Sequence, residues 1–155
     1  VTLACERPKA RGICVDISPE ALWVAEKNAI DLGVADRVRC VESDWFSNVD
    51  GTYDLIVSNP PYVRTPDIPG LAPDVRCFDP IIALDGGLLG LDCYVAIATQ
   101  ARRFLLTKGQ IIVEAGAGQM QDVVQIFAEH GFKHMKSKHD LSRTERALAF
   151  SVNGA

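Results

Sequence analysis

Asn59-Pro60-Pro61-Tyr62 places an amide, two rigid backbone carbonyls and an aromatic ring directly after the run Tyr53-Asp54-Leu55-Ile56-Val57-Ser58. Consecutive prolines cannot donate to a sheet ladder, so a strand over Asp54 to Val57 must stop where the tetrapeptide begins. In open α/β sheets, ligands bind at the carboxyl ends of strands, and the tetrapeptide is expected to face an active site. The chemistry it suits is alkylation of a planar nitrogen. Such a nitrogen delocalises its lone pair, so a catalyst must hold both hydrogens and leave the lone pair facing the electrophile. The Asn59 side-chain carbonyl can accept one hydrogen, and the Pro60 carbonyl, aimed by restricted dihedrals, the other. Tyr62 supplies a flat face for stacking, and alignment to roughly 3–3.5 Å between reacting atoms then replaces a strong base.

The elements that must position these residues alternate between strand and helix. Arg11 to Ile17 reads as a buried strand ending in Asp16, followed by Ser18 as N-cap and Pro19 at the first helical position. Leu22, Ala25, Ala29 and Leu32 recur at helical spacing up to the stop at Gly33. Val38 to Glu42 makes the next strand, leading into Ser43-Asp44-Trp45-Phe46. Arg64 to Gly90, rich in Pro and Gly, reads as a long ordered loop placed to cover a substrate. A helix is predicted from Leu91 to Leu106, closed by Lys108 and Gly109, then a strand over Gln110 to Glu114. A further helix presents Met120, Val123, Val124 and Phe127 and ends at Gly131. Phe132 to Lys138 and Arg146 to Val152 form a terminal strand pair. The pattern predicts one α/β domain over residues 1–155 with a mostly parallel sheet covered on both faces.

Composition narrows the function classes. The chain has 155 residues, 48% of them hydrophobic, which suffices for a substantial core. No apolar run approaches the roughly 20 residues of a membrane span, and Val1 to Arg11 carries no signal-peptide pattern, so a cytoplasmic location is expected. A net charge of −4 gives no general attraction to phosphate backbones and favours a protein or small-molecule substrate over nucleic acid. The five cysteines contain no C-x-x-C pair and read as reduced structural thiols. His130 and His134 have the spacing of a metal pair, but Gly131 interrupts the helix face they would need, and no metal site is predicted. Glu114, at another strand end, is assigned a structural role.

Four stretches carry a family likeness: Val15-Asp16-Ile17-Ser18, Ser43-Asp44-Trp45-Phe46, Ser58-Asn59-Pro60-Pro61-Tyr62, and Asp74-Val75-Arg76 with Phe78-Asp79-Pro80 and Ala83-Leu84 before the Gly-rich segment. The chain resembles the HemK (PrmC-like) family of S-adenosylmethionine-dependent methyltransferases that modify a glutamine of peptide-chain release factors. The tetrapeptide is shared with amino-methyltransferases of DNA and RNA, whereas the Asp74 to Asp92 run is similar to HemK. Asp140-Leu141 with Arg143 and Arg146 also resembles the family's closing segment.

The resemblance implies a Rossmann-like class I methyltransferase fold and S-adenosylmethionine as cofactor. Asp16 would accept hydrogen bonds from the ribose hydroxyls, Asp44 from the adenine amino group, and Trp45 would form an aromatic wall. Asn59 would touch both cofactor and substrate, with Pro60, Pro61 and Tyr62 completing the clamp on the glutamine of a Gly-Gly-Gln loop. The family fold also implies an amino-terminal helical domain, a central first strand and a Gly-rich loop, none of which this sequence contains. Val1 to Arg11 resembles the helix that follows that loop. The expectation is therefore a carboxyl-terminal catalytic-domain fragment with an intact substrate clamp and weak cofactor affinity. Open strand edges would be compensated by another segment or a second copy of the chain. Two alternatives stay open: methylation of an exocyclic amine on DNA or rRNA, and a non-catalytic peptide-binding module.

Overall fold

The computed structural model describes residues 1–152. The chain divides into two compact units, Val1–Asp50 and the part from Gly51 onward.

The first unit is β-α-β in character. α1 (Thr2–Glu6) precedes β1 (Gly12–Asp16), which is followed by α2 (Pro19–Asp31) and β2 (Val38–Glu42). Ser18 Oγ accepts the Ala21 N–H at 3.1 Å, with Pro19 opening the helix as its fixed φ allows. β1 and β2 pair in parallel, in register from Gly12 with Val38 to Asp16 with Glu42, so both strands end at the same edge. Ala4, Ala29 and Val34 form the small core, with Val1 and Val38 packed against it. The Arg37 guanidinium ties down the α1 segment by donating to Ala4 O at 2.8 Å and Ala10 O at 3.0 Å. Leu32 was expected on the inner face of the helix but is exposed, because α2 ends at Asp31 and Leu32 is its C-cap.

The second unit holds β3 (Tyr53–Ser58), α3 (Pro73–Phe78), α4 (Asp92–Ala101), β4 (Leu105–Glu114), α5 (Met120–Glu129), β5 (Phe132–His139) and β6 (Glu145–Val152). Its sheet has the order β3-β4-β6-β5. β3 and β4 are parallel, and β6 runs antiparallel between β4 and β5, so three of the four strands share one direction. α5 covers β5 and β6. Phe127 stacks on Phe150 with ring centroids 4.3 Å apart and meets Phe132 edge-on at 5.4 Å, each pair adding about 0.5–1.5 kcal/mol to simple burial. Tyr94, Ile97, Ala98 and Ala101, at helical spacing, bury the inner face of α4. Lys133, Lys136 and Lys138 are all exposed on β5, the last strand of the sheet.

The alternation of strands and helices and the antiparallel terminal pair are as the sequence predicted. Three details differ. The described strands lie in two sheets instead of one, because neither β1 nor β3 has a hydrogen-bonded neighbour on its second side. The helix predicted to reach Leu106 stops at Ala101. A 3-10 turn over Arg102–Phe104 leads into β4 at Leu105, and Lys108 and Gly109 fall in an irregular stretch where the partner of Tyr53 is Leu105 but that of Leu55 is Gln110. The loop from Arg64 to Gly90 is also partly ordered into short pieces. These are a 3-10 turn over Thr65–Gly70, α3, and a second 3-10 turn over Ile81–Ala83.

Candidate functional site

In the first unit the candidate residues gather at the carboxyl edge shared by β1 and β2. Asp16 is the last residue of β1; its Oδ1 accepts the Ser18 N–H at 2.9 Å, and its carbonyl accepts the Ser43 N–H at 3.0 Å. The second contact fastens the turn after β2 to the end of β1. Ser43 is buried, and its hydroxyl accepts the Asn48 N–H at 2.9 Å, while Asn48 Nδ2 donates to Glu42 O at 2.9 Å. Within the turn so closed, Asp44 is exposed and Trp45 half-buried. Trp45 has φ +49°, a left-handed conformation that costs a bulky residue about 1 kcal/mol or more and persists only where the surroundings impose it. The edge thus presents three exposed carboxylates, Asp16, Glu42 and Asp44, and an aromatic ring. Asn48, which with Ser43 holds this turn, carried no signal in the sequence beyond being a turn-forming residue type.

In the second unit the tetrapeptide leaves the carboxyl end of β3. Asn59 is exposed, Pro60 is buried, and Pro61 and Tyr62 are half-buried. No hydrogen bond to a described residue holds the Asn59 side chain. Tyr62 is fixed at both ends. Its phenol donates to Glu114 Oε1 at 3.1 Å, and its carbonyl accepts from Gln119 Nε2 at 3.0 Å. Burial, together with that carboxylate, raises the phenol's pKa, so the hydroxyl stays protonated and donating. Glu114 is itself placed by the end of β4, where its carbonyl accepts the Tyr94 hydroxyl at 3.0 Å. The structural role assigned to Glu114 therefore includes a direct contact with the clamp.

The Gly-rich segment lies alongside the tetrapeptide. Val63 N–H donates to Leu84 O at 2.9 Å, Gly86 N–H to Val63 O at 2.8 Å, and Thr65 N–H to Gly87 O at 2.9 Å. Asp85 accepts from the Thr65 hydroxyl at 2.7 Å and the Gly87 N–H at 2.9 Å, and these two bonds hold its carboxyl below the usual carboxylate range. Glycine is required at two points. A Cβ on Gly86 would sit 2.8 Å from both Pro61 O and Tyr62 Cα, and one on Gly90, at φ +73°, would overlap Tyr62 O. This close approach accounts for the Gly-rich pattern that follows the tetrapeptide.

The other sequence candidates serve local structure. Asp140 accepts the Thr144 N–H at 2.9 Å and the Ser142 N–H at 2.8 Å and pairs with Arg146 at 3.2 Å, closing the β5–β6 turn. His130 Nδ1 lies 2.8 Å from Ile126 O, and His134, on β5, has Nε2 3.1 Å from Ser137 Oγ. The two rings therefore belong to different elements and have separate partners. Among the described residues no helix is long and apolar enough to cross a membrane.

Comparison with known proteins matches residues 1–69 to the methyltransferase small domain family. The chain is 45% identical to the release factor glutamine methyltransferase of Agrobacterium fabrum over 97% of its own length and 52% of the relative's. It is 43% identical to that of Cereibacter sphaeroides over 100% of its length and 56% of the relative's. It thus spans about half the length of the curated relatives it matches. Its fold is similar to the crystal structure of a ribosomal protein L11 methylase from Lactobacillus delbrueckii subsp. bulgaricus, with a TM-score of 0.69 at 21% identity, covering 97% of this chain and 64% of that one. Along nearly all of its length, the chain is thus similar to about half the length of curated release factor glutamine methyltransferases.

Proposed function

We propose that the chain takes part in transferring a methyl group from S-adenosylmethionine to the side-chain amide nitrogen of a glutamine in the Gly-Gly-Gln loop of a release factor, in the cytoplasm. The observation that carries this reading is the tetrapeptide at the end of β3, with the Asn59 amide exposed beside a Tyr62 held at both phenol and carbonyl. Asn59 Oδ1 and Pro60 O accept the two amide hydrogens of the substrate, which leaves the nitrogen lone pair directed away from them. The Tyr62 ring stacks on the amide plane. The loop after the tetrapeptide supports a peptide substrate: Phe78, Ile81, Ile82, Leu88 and Leu89 are all exposed apolar side chains on it, suited to an extended chain.

The residues at the β1–β2 edge fit the cofactor by their chemistry. Asp16 and Asp44 are exposed acceptors on one edge, suited to ribose hydroxyls and to an exocyclic amine, and Trp45 offers an aromatic face beside them. When bound, the cofactor supplies a methyl carbon made electrophilic by its sulfonium charge. Alignment by the chain's own groups then accounts for the acceleration: no side chain need abstract a proton beforehand, and one of the two amide hydrogens passes to solvent once the nitrogen is methylated.

The test is transfer of labelled methyl to a release factor, to the same factor with the loop glutamine replaced, and to DNA and rRNA. It uses the 155-residue chain and a chimaera in which the chain replaces the matched half of a curated relative. Label on the unmodified factor alone is expected. Label only on nucleic acid overturns the reading. Size-exclusion chromatography with and without cofactor tests self-association through open strand edges.

A further inference from the structure

We infer that Glu114 and Gln119, at and just beyond the end of β4, are positioning residues that aim Tyr62 of the clamp; this rests on the methyl-transfer reading above. The two act on opposite ends of one residue. Glu114 Oε1 accepts the Tyr62 phenol and fixes the ring's tilt, while Gln119 Nε2 donates to the Tyr62 carbonyl and fixes the backbone that carries the ring. Gln119 does more than close a local turn. Its Nε2 also donates to Gly90 O at 3.2 Å, and its Oε1 accepts the Gly116 N–H at 3.0 Å. A single side-chain amide therefore joins the tetrapeptide, the Gly-rich segment and the turn before α5.

The surroundings admit little other geometry. A Cβ on Gly116 would collide with Gln119 Oε1 and sit 3.1 Å from the Tyr62 ring, while one on Gly90 would collide with Tyr62 O and come within 2.6 Å of Gln119 Nε2. The glycines thus form a close-fitting socket, and the two polar side chains set the ring's orientation inside it. Glu114 also adapts to substitution in a useful way. Glutamine at 114 keeps a carbonyl acceptor for the phenol, whereas leucine removes it.

A double-mutant cycle tests this. Tyr62→Phe, Glu114→Leu and the pair are assayed for kcat, for KM of a Gly-Gly-Gln peptide and for cofactor affinity, with thermal unfolding to correct for the folded fraction. Each single variant is expected to lower kcat about tenfold per folded molecule, the pair no more than either alone, with cofactor affinity unchanged. Glu114→Gln should recover to within about threefold of the wild type, and Gln119→Leu should lose about a hundredfold. Additive losses in the cycle, or an equal loss from Glu114→Gln and Glu114→Leu, overturn the inference while the wild type still labels the peptide. A wild-type chain and chimaera that leave the release factor unlabelled overturn the methyl-transfer reading, and this inference with it.

Discussion

The tetrapeptide after β3 and the acidic residues after β1 and β2 sit in equivalent places, the carboxyl ends of parallel strands, yet they are held differently. Tyr62 is fixed by side chains from 52 and 57 positions further along the chain and by glycines that admit no Cβ. Asp16 and Asp44 are held by contacts within their own β-α-β unit, chiefly the Ser18 N–H on Asp16 and the Ser43–Asn48 turn. The difference matches the tasks proposed for them. A clamp that must aim a weakly nucleophilic nitrogen needs a fixed direction, whereas acceptors for hydroxyls and an amine need only reach.

The sharpest way to break the comparison is Asn59→Ala. Turnover should fall about a hundredfold or more with cofactor affinity within about twofold, because the lost contact is made to the reacting nitrogen. Equal losses in turnover and affinity, read by initial rates and calorimetry, would merge the two roles that the comparison separates.

Gly→Ala at one position in each unit sharpens it further. Gly90→Ala should destabilise its unit by about 2–4 kcal/mol, since the new methyl overlaps Tyr62 O as well as forcing a strained φ. Gly33→Ala, at φ +68° with nothing within 4 Å of its Cβ position, should cost only about 1 kcal/mol. Urea unfolding of the two variants measures both.

Asp16 offers a subtler contrast. Asp16→Asn keeps an acceptor for the Ser18 N–H and should preserve the fold, while its lost charge weakens cofactor binding about tenfold with turnover at saturation unchanged. An unchanged affinity would remove Asp16 from the cofactor edge.

The smallest effect concerns acid stability. The Thr144 N–H, with the Arg146 and Ser142 contacts, holds the Asp140 carboxyl below the usual carboxylate range against the opposing effect of burial. A depressed folded pKa contributes stability that is fully present above the unfolded value of about 4 and is lost as pH falls through the folded one. Asp140→Asn should therefore reduce stability at neutral pH and flatten this part of the acid limb, measured as urea midpoints between pH 6 and pH 2.5.

Much of this arrangement was legible in the chain because its signals are local. Ser18-Pro19 and the periodicity to Ala29 define α2, and the double proline defines the end of β3. The spacing of Tyr94, Ile97, Ala98 and Ala101 gives the buried face of α4. What the sequence hid depends on tertiary contacts. Gln119 has no distinguishing neighbours, and only the fold brings its amide to Tyr62 and Gly90. The left-handed Trp45 is imposed by a turn that Ser43 and Asn48 close, against the residue's own preference. The early start of β4 was missed because Lys108-Gly109 has the composition of a helix stop, whereas Gly109 lies against Tyr53 O in the irregular pairing with β3.

The sheet from Gly51 onward ends in two unlike strands. On β5, Lys133, Lys136 and Lys138 would each bring an ammonium group against any strand that tried to add there, so that side resists templating by a neighbouring molecule. On β3 the exposed strand residues include a single charge, Asp54, beside the apolar Leu55 and Val57. The sheet is therefore unevenly guarded, and its less charged edge strand is the one whose terminal residues lead directly into Asn59.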